Sequence, residues 1–368
     1  MNPRGTAENP DRPVLFREYP ELAENTPRIS LGTFPTPVQR LNQIENANLW
    51  IKRDDLSSPV YGGNKIRKLE FILGEARRRK SAHIITFGGI GTHHGLATAI
   101  FCRKLGIKCT LLLFYQPVTA GVKKNLLLFN KYKAATIYKT TLWKTVVSYF
   151  LLERIKHPGA NFVYAGGSNP EGTIGYVNAA FELKEQIYRG EMPEPEVIIC
   201  PLGSGGTLAG LSLGLQLAGL HTCVTGVRVS ESHLGPFQAC TRDTIARLMK
   251  RTYAILKKRC QRLPDINIRF PEILHDYFGS GYGAPTRAGG EAYHLMQAKE
   301  GIALDPTYTA KTFAAVLDYC RNHQANRGPV LYWHTYNSVD LSNQAGEVNY
   351  RDLPESLQAF IEQKPVEF

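Results

Sequence analysis

The sequence contains no continuous apolar run long enough to span a bilayer, and its polar beginning, MNPRGTAENPDRP, lacks the apolar stretch of a signal peptide. Its seven cysteines are scattered and include no C-x-x-C pair, so neither a disulfide framework nor a zinc site is indicated. Internal repeats and low-complexity tracts are also lacking. We therefore expect a cytoplasmic protein with reduced thiols and no membrane partner.

The chain has a net charge of +12, and two clusters contribute much of it. Residues 77–80 end a predicted helix, where Lys and Arg interact favourably with the helix dipole. The second cluster lies in segment 247–262 and could be a solvated helix face, a docking surface or an attraction for anionic substrates. No recognition motif accompanies either cluster, so we expect no nucleic-acid partner.

Short apolar runs alternate with helical patterns from Trp50 onward, which predicts an α/β fold with two open twisted sheets flanked by helices. The runs have the length of buried parallel strands and cover residues 83–89, 109–114, 161–167, 196–203 and 224–229. The helical patterns cover residues 65–80, 95–105, 174–189 and 207–217. We expect an irregular arm over the first thirty residues and a surface helix, a candidate interface, over 130–157.

The strongest local motif is YGGNKIRKLEFILGEA, over residues 61–76. Two glycines permit a tight turn and Asn64 is a favoured helix N-cap, which places Lys65 in the first helical turn. A cation there is unfavourable because the helix dipole is positive at that end. A lysine with a lowered pKa is, however, a better Schiff-base nucleophile, so Lys65 is a candidate for covalent cofactor attachment. Taken alone, the motif also fits a solvated lysine near a helix start.

A second motif, PLGSGGTLAGL over residues 201–211, follows an apolar run and opens a helix rich in small residues. Backbone N–H groups of a glycine-rich turn at a helix N-terminus can bind a phosphate, and Ser204 and Thr207 can add hydroxyl donors. The motif matches neither a nucleotide P-loop nor the dinucleotide fingerprint. It therefore indicates a site for a phosphate monoester, with a merely tight turn as the alternative.

Together the motifs point to a cofactor with an aldehyde at one end and a phosphate at the other, and the chain resembles the aminocyclopropane-carboxylate deaminase and D-cysteine desulfhydrase family of pyridoxal-phosphate enzymes. The resemblance runs from about residue 30 to 340 and implies the tryptophan-synthase-β fold, called fold type II. It is carried by FPTPVQRL (34–41), LWIKRDDL (49–56), YGGNKIRKLEF (61–71), FGGIGTHH (87–94), YAGGSNPEGTIGYVNAAFEL (164–183), PLGSGGTLAGL (201–211), GSGYGAPT (279–286), GIALDPTYTAK (301–311) and YWHT (332–335).

The resemblance assigns roles to individual residues. Lys65 would attach pyridoxal 5'-phosphate covalently, and Asn64 would lie against its phenolic oxygen. Tyr282 and Tyr308 would be catalytic residues near the substrate. The phosphate would be held by Lys68 together with the loop Gly203, Ser204, Gly205, Gly206 and Thr207.

The resemblance also implies two domains with the cofactor between them. The smaller would cover residues 66–166, and the larger would combine 1–65 with 167–368. Family members are commonly homodimers, so we expect a homodimer that acts on a small amino acid.

One departure from the family lies in the segment Gly91–His94, where the family usually has Gln-Ser-Asn-His. Thr92 could replace the serine hydroxyl that binds or attacks the substrate, and His93 replaces an asparagine, so contacts with the substrate carboxylate would change. Neighbouring histidines on a helix point to different faces and no third ligand is evident, so we expect no metal at His93 and His94. Either histidine could act as an acid or a base.

A second departure concerns the partner of the cofactor's pyridine nitrogen. In the deaminases a glutamate follows the tyrosine equivalent to Tyr308, whereas this chain has Thr309, with Thr335 also expected close to the ring. A neutral hydroxyl stabilises a pyridinium less than a carboxylate does, which favours β-elimination over ring opening. The alternatives are a β-replacement enzyme, a deaminase of aminocyclopropane carboxylate and a non-catalytic pyridoxal-phosphate-binding protein.

Overall fold

The computed structural model describes residues 12–44, 48–234, 237–322 and 328–366, and its main feature is a pair of β-sheets flanked by helices. The strands are β1 Val38–Arg40, β2 Leu49–Arg53, β3 His83–Gly89, β4 Lys108–Phe114, β5 Ala135–Lys139, β6 Asn161–Phe162, β7 Val197–Leu202, β8 Cys223–Arg228, β9 His233–Leu234, β10 Phe237–Gln238, β11 Glu272–Leu274 and β12 Val330–His334. The α-helices are α1 Val14–Glu18, α2 Pro20–Asn25, α3 Asn64–Arg78, α4 His93–Lys104, α5 Ala120–Lys131, α6 Leu142–Val147, α7 Glu153–Lys156, α8 Pro170–Tyr188, α9 Gly206–Ala218, α10 Arg242–Arg259, α11 Arg287–Glu300, α12 Thr309–Asn322, α13 Ser342–Gly346 and α14 Glu355–Glu362. A π-helix, Ser148–Leu152, joins α6 to α7, and short 3-10 turns cover Asp54–Leu56, Ala165–Gly167 and Tyr350–Asp352.

The larger sheet has the strand order β1-β2-β12-β7-β8-β11, with β1 antiparallel to β2 and the other neighbours parallel. Successive residues of β7 point to opposite faces of the sheet and pack in two different hydrophobic clusters. Ile198 and Cys200 pack with α8 and α9, whereas Val197 and Ile199 pack with α11 and α12. The sheet is thus buried on both faces, which is why β7 is a continuous apolar run.

The smaller sheet has the order β5-β4-β3-β6 and is parallel throughout. Apolar residues of β3 and β4 pack with α3, α4 and α5 on one face, and Phe87 and Leu112 pack with Val146 and Tyr149 on the other. This sheet falls within residues 66–166, the range that the sequence assigns to a smaller domain. The division itself stays a prediction.

Three local expectations were wrong. The predicted strand over 161–167 ends at Phe162, because Gly166 and Gly167 adopt positive φ and turn the chain. The segment 130–157 begins with the last two residues of α5 and then contains strand β5 before its main helical part, which starts at Leu142. The described part of the N-terminal arm forms the short helices α1 and α2, whose Leu15, Phe16 and Leu22 enter the core; the rest of the arm lies outside the described residues.

The basic segment 247–262 belongs largely to α10, whose buried residues Ile245, Met249, Thr252 and Leu256 recur at helical spacing. The seven cysteines are all free thiols. Within the described ranges, no helix is long and apolar enough to cross a membrane. No cluster of three or more His, Cys, Asp or Glu in those ranges could hold a metal ion.

Candidate active site

A cavity of about 610 Å³ is lined by residues from the strand ends of both sheets. The smaller sheet contributes the segment between β3 and α4, and the larger sheet contributes the β7–α9 loop and the residues after β12. In α/β sheets the carboxyl ends of parallel strands are the usual position of a ligand. This cavity is therefore the candidate active site.

Lys65 lies in the cavity wall as the second residue of α3, and the residue at the N-cap is Gly63 instead of the predicted Asn64. Burial lowers the pKa of Lys65 to about 8, although the charge of Asp305 opposes this change. Its Nζ donates to Asn64 Oδ1 at 2.8 Å, and Asn64 Nδ2 donates to Thr207 Oγ1 at 3.1 Å. The turn before it requires glycine, because Gly63 has φ +86° and a Cβ there would lie 2.8 Å from the carbonyl oxygen of Thr335. Lys65 is thus a partly deprotonated amine held at a fixed position.

Polar groups crowd the N-terminus of α9. Gly206 N donates to Ser168 Oγ at 2.9 Å, and the hydroxyls of Ser168 and Ser204 are 2.7 Å apart. Lys68 Nζ donates to the Gly166 carbonyl at 3.0 Å, and burial, together with the charge of Lys65, lowers the pKa of Lys68 well below its usual value. A Cβ on Gly206 would lie only 2.7 Å from Ser168 Oγ. The hydroxyls, the lysine and the helix N-terminus form a cradle for an anion.

Two tyrosine hydroxyls, those of Tyr282 and Tyr308, form a hydrogen bond at the cavity wall. Burial raises the pKa of Tyr282 to about 12, and burial together with the neighbouring Tyr282 raises the pKa of Tyr308 well above its usual value. Both phenols therefore keep their protons near neutral pH and can donate hydrogen bonds or protons.

Asp305 begins the turn that leads into α12. Its carboxylate accepts from the backbone N–H groups of Thr307, Tyr308 and Thr309 at 3.0, 2.8 and 3.1 Å. It also accepts from the hydroxyl of Thr309 at 2.7 Å. Asp305 lines the cavity, whereas Thr309 is fully buried, so the predicted contact of Thr309 with the cofactor ring stays a prediction.

The segment that departs from the family pattern forms the start of α4. Thr92 caps this helix, its Oγ1 accepting from Gly95 N at 3.2 Å. His93 Nδ1 lies 3.0 Å from Tyr61 Oη, and His94 Nε2 lies 3.1 Å from Thr86 Oγ1. His94 Nδ1 is buried, and no described residue provides it with a hydrogen-bond partner. Since Thr92, His93 and His94 line the cavity, this end of it can contact a ligand.

The donor set fits pyridoxal phosphate. The cofactor needs an amine that can condense with its aldehyde, and Lys65 is such an amine. It also needs donors for a phosphate monoester, and the cradle around Gly206 supplies them. Fold and site together define a pyridoxal-phosphate enzyme of fold type II.

The chain belongs to the family described as pyridoxal-phosphate dependent enzyme, whose profile matches residues 29–335. It is 34% identical over 316 residues to a putative 1-aminocyclopropane-1-carboxylate deaminase of Thermotoga maritima, which covers 84% of this chain and 95% of that protein. It is 32% identical over 322 residues to a D-cysteine desulfhydrase of Klebsiella pneumoniae, which covers 84% of this chain and 93% of that protein. A solved structure titled as an ACC deaminase homologue has a TM-score of 0.74 at 29% identity and covers 91% of this chain and 99% of that one. The predicted family, fold class and cofactor are confirmed.

Most of the residues predicted from the sequence lie around the one cavity, while their individual roles stay predictions. Those that line it are Asn64, Lys65, Lys68, Thr92, His93, His94, Gly203, Ser204, Gly205, Thr207, Tyr282, Tyr308 and Thr335. Gly206 contributes its N–H to the cradle, as described above.

Sequence reasoning missed Ser168, Asp305 and Tyr61. The first two had signals: Ser168 follows two glycines, and Asp305 stands before a helical pattern, where an acceptor side chain is favoured. Tyr61 had none, because its hydrogen bond to His93 joins residues 32 positions apart.

Proposed function

We propose that this enzyme is a lyase that eliminates the β-substituent of a small amino acid, D-cysteine or a related compound, and releases ammonia and a keto acid. The observation that carries the proposal is a partly deprotonated Lys65 in the same cavity as two protonated tyrosines. The name of the K. pneumoniae relative, D-cysteine desulfhydrase, supports this choice of substrate.

When bound, the cofactor withdraws electrons from the α-carbon of an attached amino acid, so that the α-proton becomes removable. The amine of Lys65 is the base that would take this proton, because a lysine with a pKa of about 8 is substantially neutral near that pH. The departing sulfur would need a proton, and the hydroxyls of Tyr282 and Tyr308 are the donors that remain protonated. The hydroxyl of Thr92, which donates to no acceptor among the described residues, would contact the substrate.

Elimination is favoured over ring opening by the residue that follows Tyr308. Where the resemblance implies a glutamate in the deaminases, this chain has Thr309, whose hydroxyl proton is directed to Asp305. A neutral oxygen next to the pyridine nitrogen would stabilise less carbanionic charge than a carboxylate. Loss of a good leaving group from the β-carbon needs less of that stabilisation than opening a cyclopropane does.

The test begins with the visible absorbance of the protein loaded with pyridoxal phosphate, followed by addition of D- and L-cysteine with assays for sulfide, ammonia and pyruvate. Lys65→Ala should abolish the band of the covalently attached cofactor. A matched control is Lys311→Met: burial also lowers the pKa of Lys311 to about 8, but its Nζ donates to the Phe278 carbonyl, and Lys311 does not line the cavity in the described structure.

Pyruvate from cysteine, lost in Lys65→Ala, would support the proposal. A Lys65-dependent band that responds to amino acids while no keto acid appears would indicate β-replacement instead. A band that never responds to amino acids would indicate a non-catalytic binding protein.

The proposed setting is the cytoplasm, with a homodimer and without nucleic acid or membrane as partners. The free thiols support a reducing compartment. Exposed apolar side chains on one helical segment support a subunit interface. They are Trp143, Phe150, Leu151, Leu152 and Ile155. Sedimentation velocity of the protein and of Leu151→Lys would test the dimer.

A further inference from the structure

An apolar wall lines the part of the cavity that the smaller sheet forms. It consists of Phe87, Phe114, Leu142 and Tyr164, which line the cavity and pack in one hydrophobic cluster. Phe87 is buried, whereas the other three side chains are partly exposed. The rings of Phe87 and Tyr164 pack edge to face, with their centroids 5.4 Å apart. Partly exposed apolar side chains in a cavity favour contact with an apolar part of a ligand.

The apolar wall adjoins Tyr282. Phe114 is the last residue of β4, and its ring centroid lies 6.2 Å from that of Tyr282. Gly89 pairs with Phe114 in the sheet, and a Cβ on Gly89 would lie 3.3 Å from Tyr282 Cε1, so Tyr282 packs directly against this end of β3. The function proposed above makes Tyr282 a proton donor to the departing sulfur. Any group bonded to the far side of that sulfur would therefore face the apolar wall.

The polar side chains beside the apolar wall are engaged in hydrogen bonds within the protein. Gln116 Oε1 accepts from Gly91 N at 3.2 Å, and Thr141 Oγ1 accepts from Lys144 N at 3.2 Å. Among the described residues that line the cavity there is no arginine, and its two lysines both belong to the proposed cofactor site. An anionic group on the substrate sulfur would therefore have no cation to pair with at the wall.

We propose that the enzyme acts on thioether amino acids, cysteines whose sulfur carries an alkyl or aryl group, and that the apolar wall binds this group. The reaction rests on the β-elimination proposed above, whereas binding of an apolar side chain at the wall does not depend on turnover.

The proposed reaction needs no oxidant or reductant. The amine of Lys65 takes the α-proton and the bond between the β-carbon and sulfur breaks. The thiolate leaves with the bonding electron pair and takes a proton from Tyr282. Addition of one water molecule to the remaining three-carbon unit gives pyruvate and ammonia, and the other product is the free thiol.

The length of the sulfur substituent provides the kinetic test. The substrates are cysteine and its S-methyl, S-ethyl and S-propyl derivatives in both enantiomers, with pyruvate measured for the cofactor-loaded enzyme. Cysteine carries only hydrogen beyond its sulfur and leaves the apolar wall uncovered. In the wild type, kcat/KM should rise about fourfold for each methylene that the wall buries.

Two leucine variants locate this effect. Leu142→Ala shortens a partly exposed member of the apolar wall and should reduce the kcat/KM ratio of S-propylcysteine to S-methylcysteine about fourfold. The matched control is Leu56→Ala, because Leu56 is 43% exposed and does not line the cavity in the described structure. This control should leave the ratio unchanged.

Norvaline and norleucine test the apolar wall without the reaction. They have carbon in place of the sulfur of S-methylcysteine and S-ethylcysteine and therefore carry no leaving group. Their dissociation constants come from the visible spectrum of the cofactor-loaded protein. Norleucine should bind about fourfold more tightly than norvaline to the wild type and to Leu56→Ala, and the difference should be smaller in Leu142→Ala.

The outcomes separate this proposal from the function on which it rests. If cysteine yields pyruvate while the thioethers do not, or react more slowly with each methylene, the thioether substrate is overturned and β-elimination stands. The same dependence on length in Leu142→Ala and the wild type would overturn the role of the apolar wall. If no compound yields pyruvate, the proposed function fails, and the norvaline and norleucine constants still decide whether the wall binds an apolar side chain.

Discussion

A buried network of four charged side chains fixes α3, the helix that carries Lys65. Arg67 donates to Asp54 Oδ1 at 2.8 Å and to Glu182 Oε2 at 2.8 Å, and Lys52 Nζ donates to Glu182 Oε1 at 2.6 Å. All four residues are at most 1% exposed. Two positive and two negative charges balance one another, so replacing Glu182 with Gln leaves one uncompensated buried positive charge.

The expected cost of Glu182→Gln is large. Although burial alone would raise it, Arg67 and Lys52 lower the pKa of Glu182 from 4.5 to about 2. A difference of this size corresponds to about 3 kcal/mol of free energy of unfolding at neutral pH. Removing one partner of a buried ion pair typically costs about 3 to 5 kcal/mol of stability, which agrees with the value obtained from the pKa.

The pH dependence has a defined sign. The pKa of Glu182 is lower in the folded than in the unfolded protein, so its contribution is fully present above pH 4.5 and is lost as the pH falls through about 2. The difference in stability between the wild type and Glu182→Gln should therefore be constant from pH 7 to 5 and smaller at pH 3.

Urea unfolding followed by circular dichroism measures these differences. The matched control is Glu185→Gln on the same helix, α8, because Glu185 pairs with Arg17 at a part-exposed site and should contribute less than about 1 kcal/mol. If Glu182→Gln is no more destabilising than Glu185→Gln, the network does not stabilise α3.

Two further predictions concern cofactor binding. The rate of covalent attachment of pyridoxal phosphate, followed by visible absorbance, should rise with pH and level off above about pH 8, where the amine of Lys65 is neutral; a rate still rising steeply at pH 10 would contradict the lowered pKa. Ser168→Ala removes a hydroxyl from the anion cradle and should weaken binding of pyridoxal phosphate about tenfold. Binding of pyridoxal, which has no phosphate, should not change. Equal losses of affinity for both compounds would contradict the role of the cradle in binding the phosphate.

The sequence predicted the elements of the fold well where a single physical signal dominated. β7 is buried on both faces and reads as a continuous apolar run, and α3 has a regular apolar spacing that gave its bounds to within two residues. The prediction of secondary structure failed where contacts between distant residues determine the local conformation. The expected strand over 161–167 could not be distinguished from a short strand followed by a glycine turn, because that turn is fixed by contacts such as that between Lys68 and the Gly166 carbonyl.

The same distinction applies to the site. Lys65 was found because a cation in the first helical turn is unfavourable, and the loop from Gly203 to Thr207 because a glycine-rich turn at a helix N-terminus offers N–H donors to a phosphate. The hydrogen bond between Tyr61 and His93 gave no such signal and depends on two elements that the fold brings together. Partners of this kind cannot be read from the order of residues.

The first turn of α3 has an unusual sequence because it contains three positively charged residues. Three cations, Lys65, Arg67 and Lys68, occupy the end of the helix where the dipole disfavours positive charge. The unfavourable interaction with the dipole is reduced in two ways. Burial lowers the pKa of Lys65 and Lys68, whereas the charge of Arg67 is neutralised by two carboxylates. Lys65 and Lys68 lie three residues apart and face the cavity, whereas Arg67 faces the core. One helical turn thus joins the amine that would bind the cofactor, the anion cradle and the ion network, so destabilising that network should also displace Lys65.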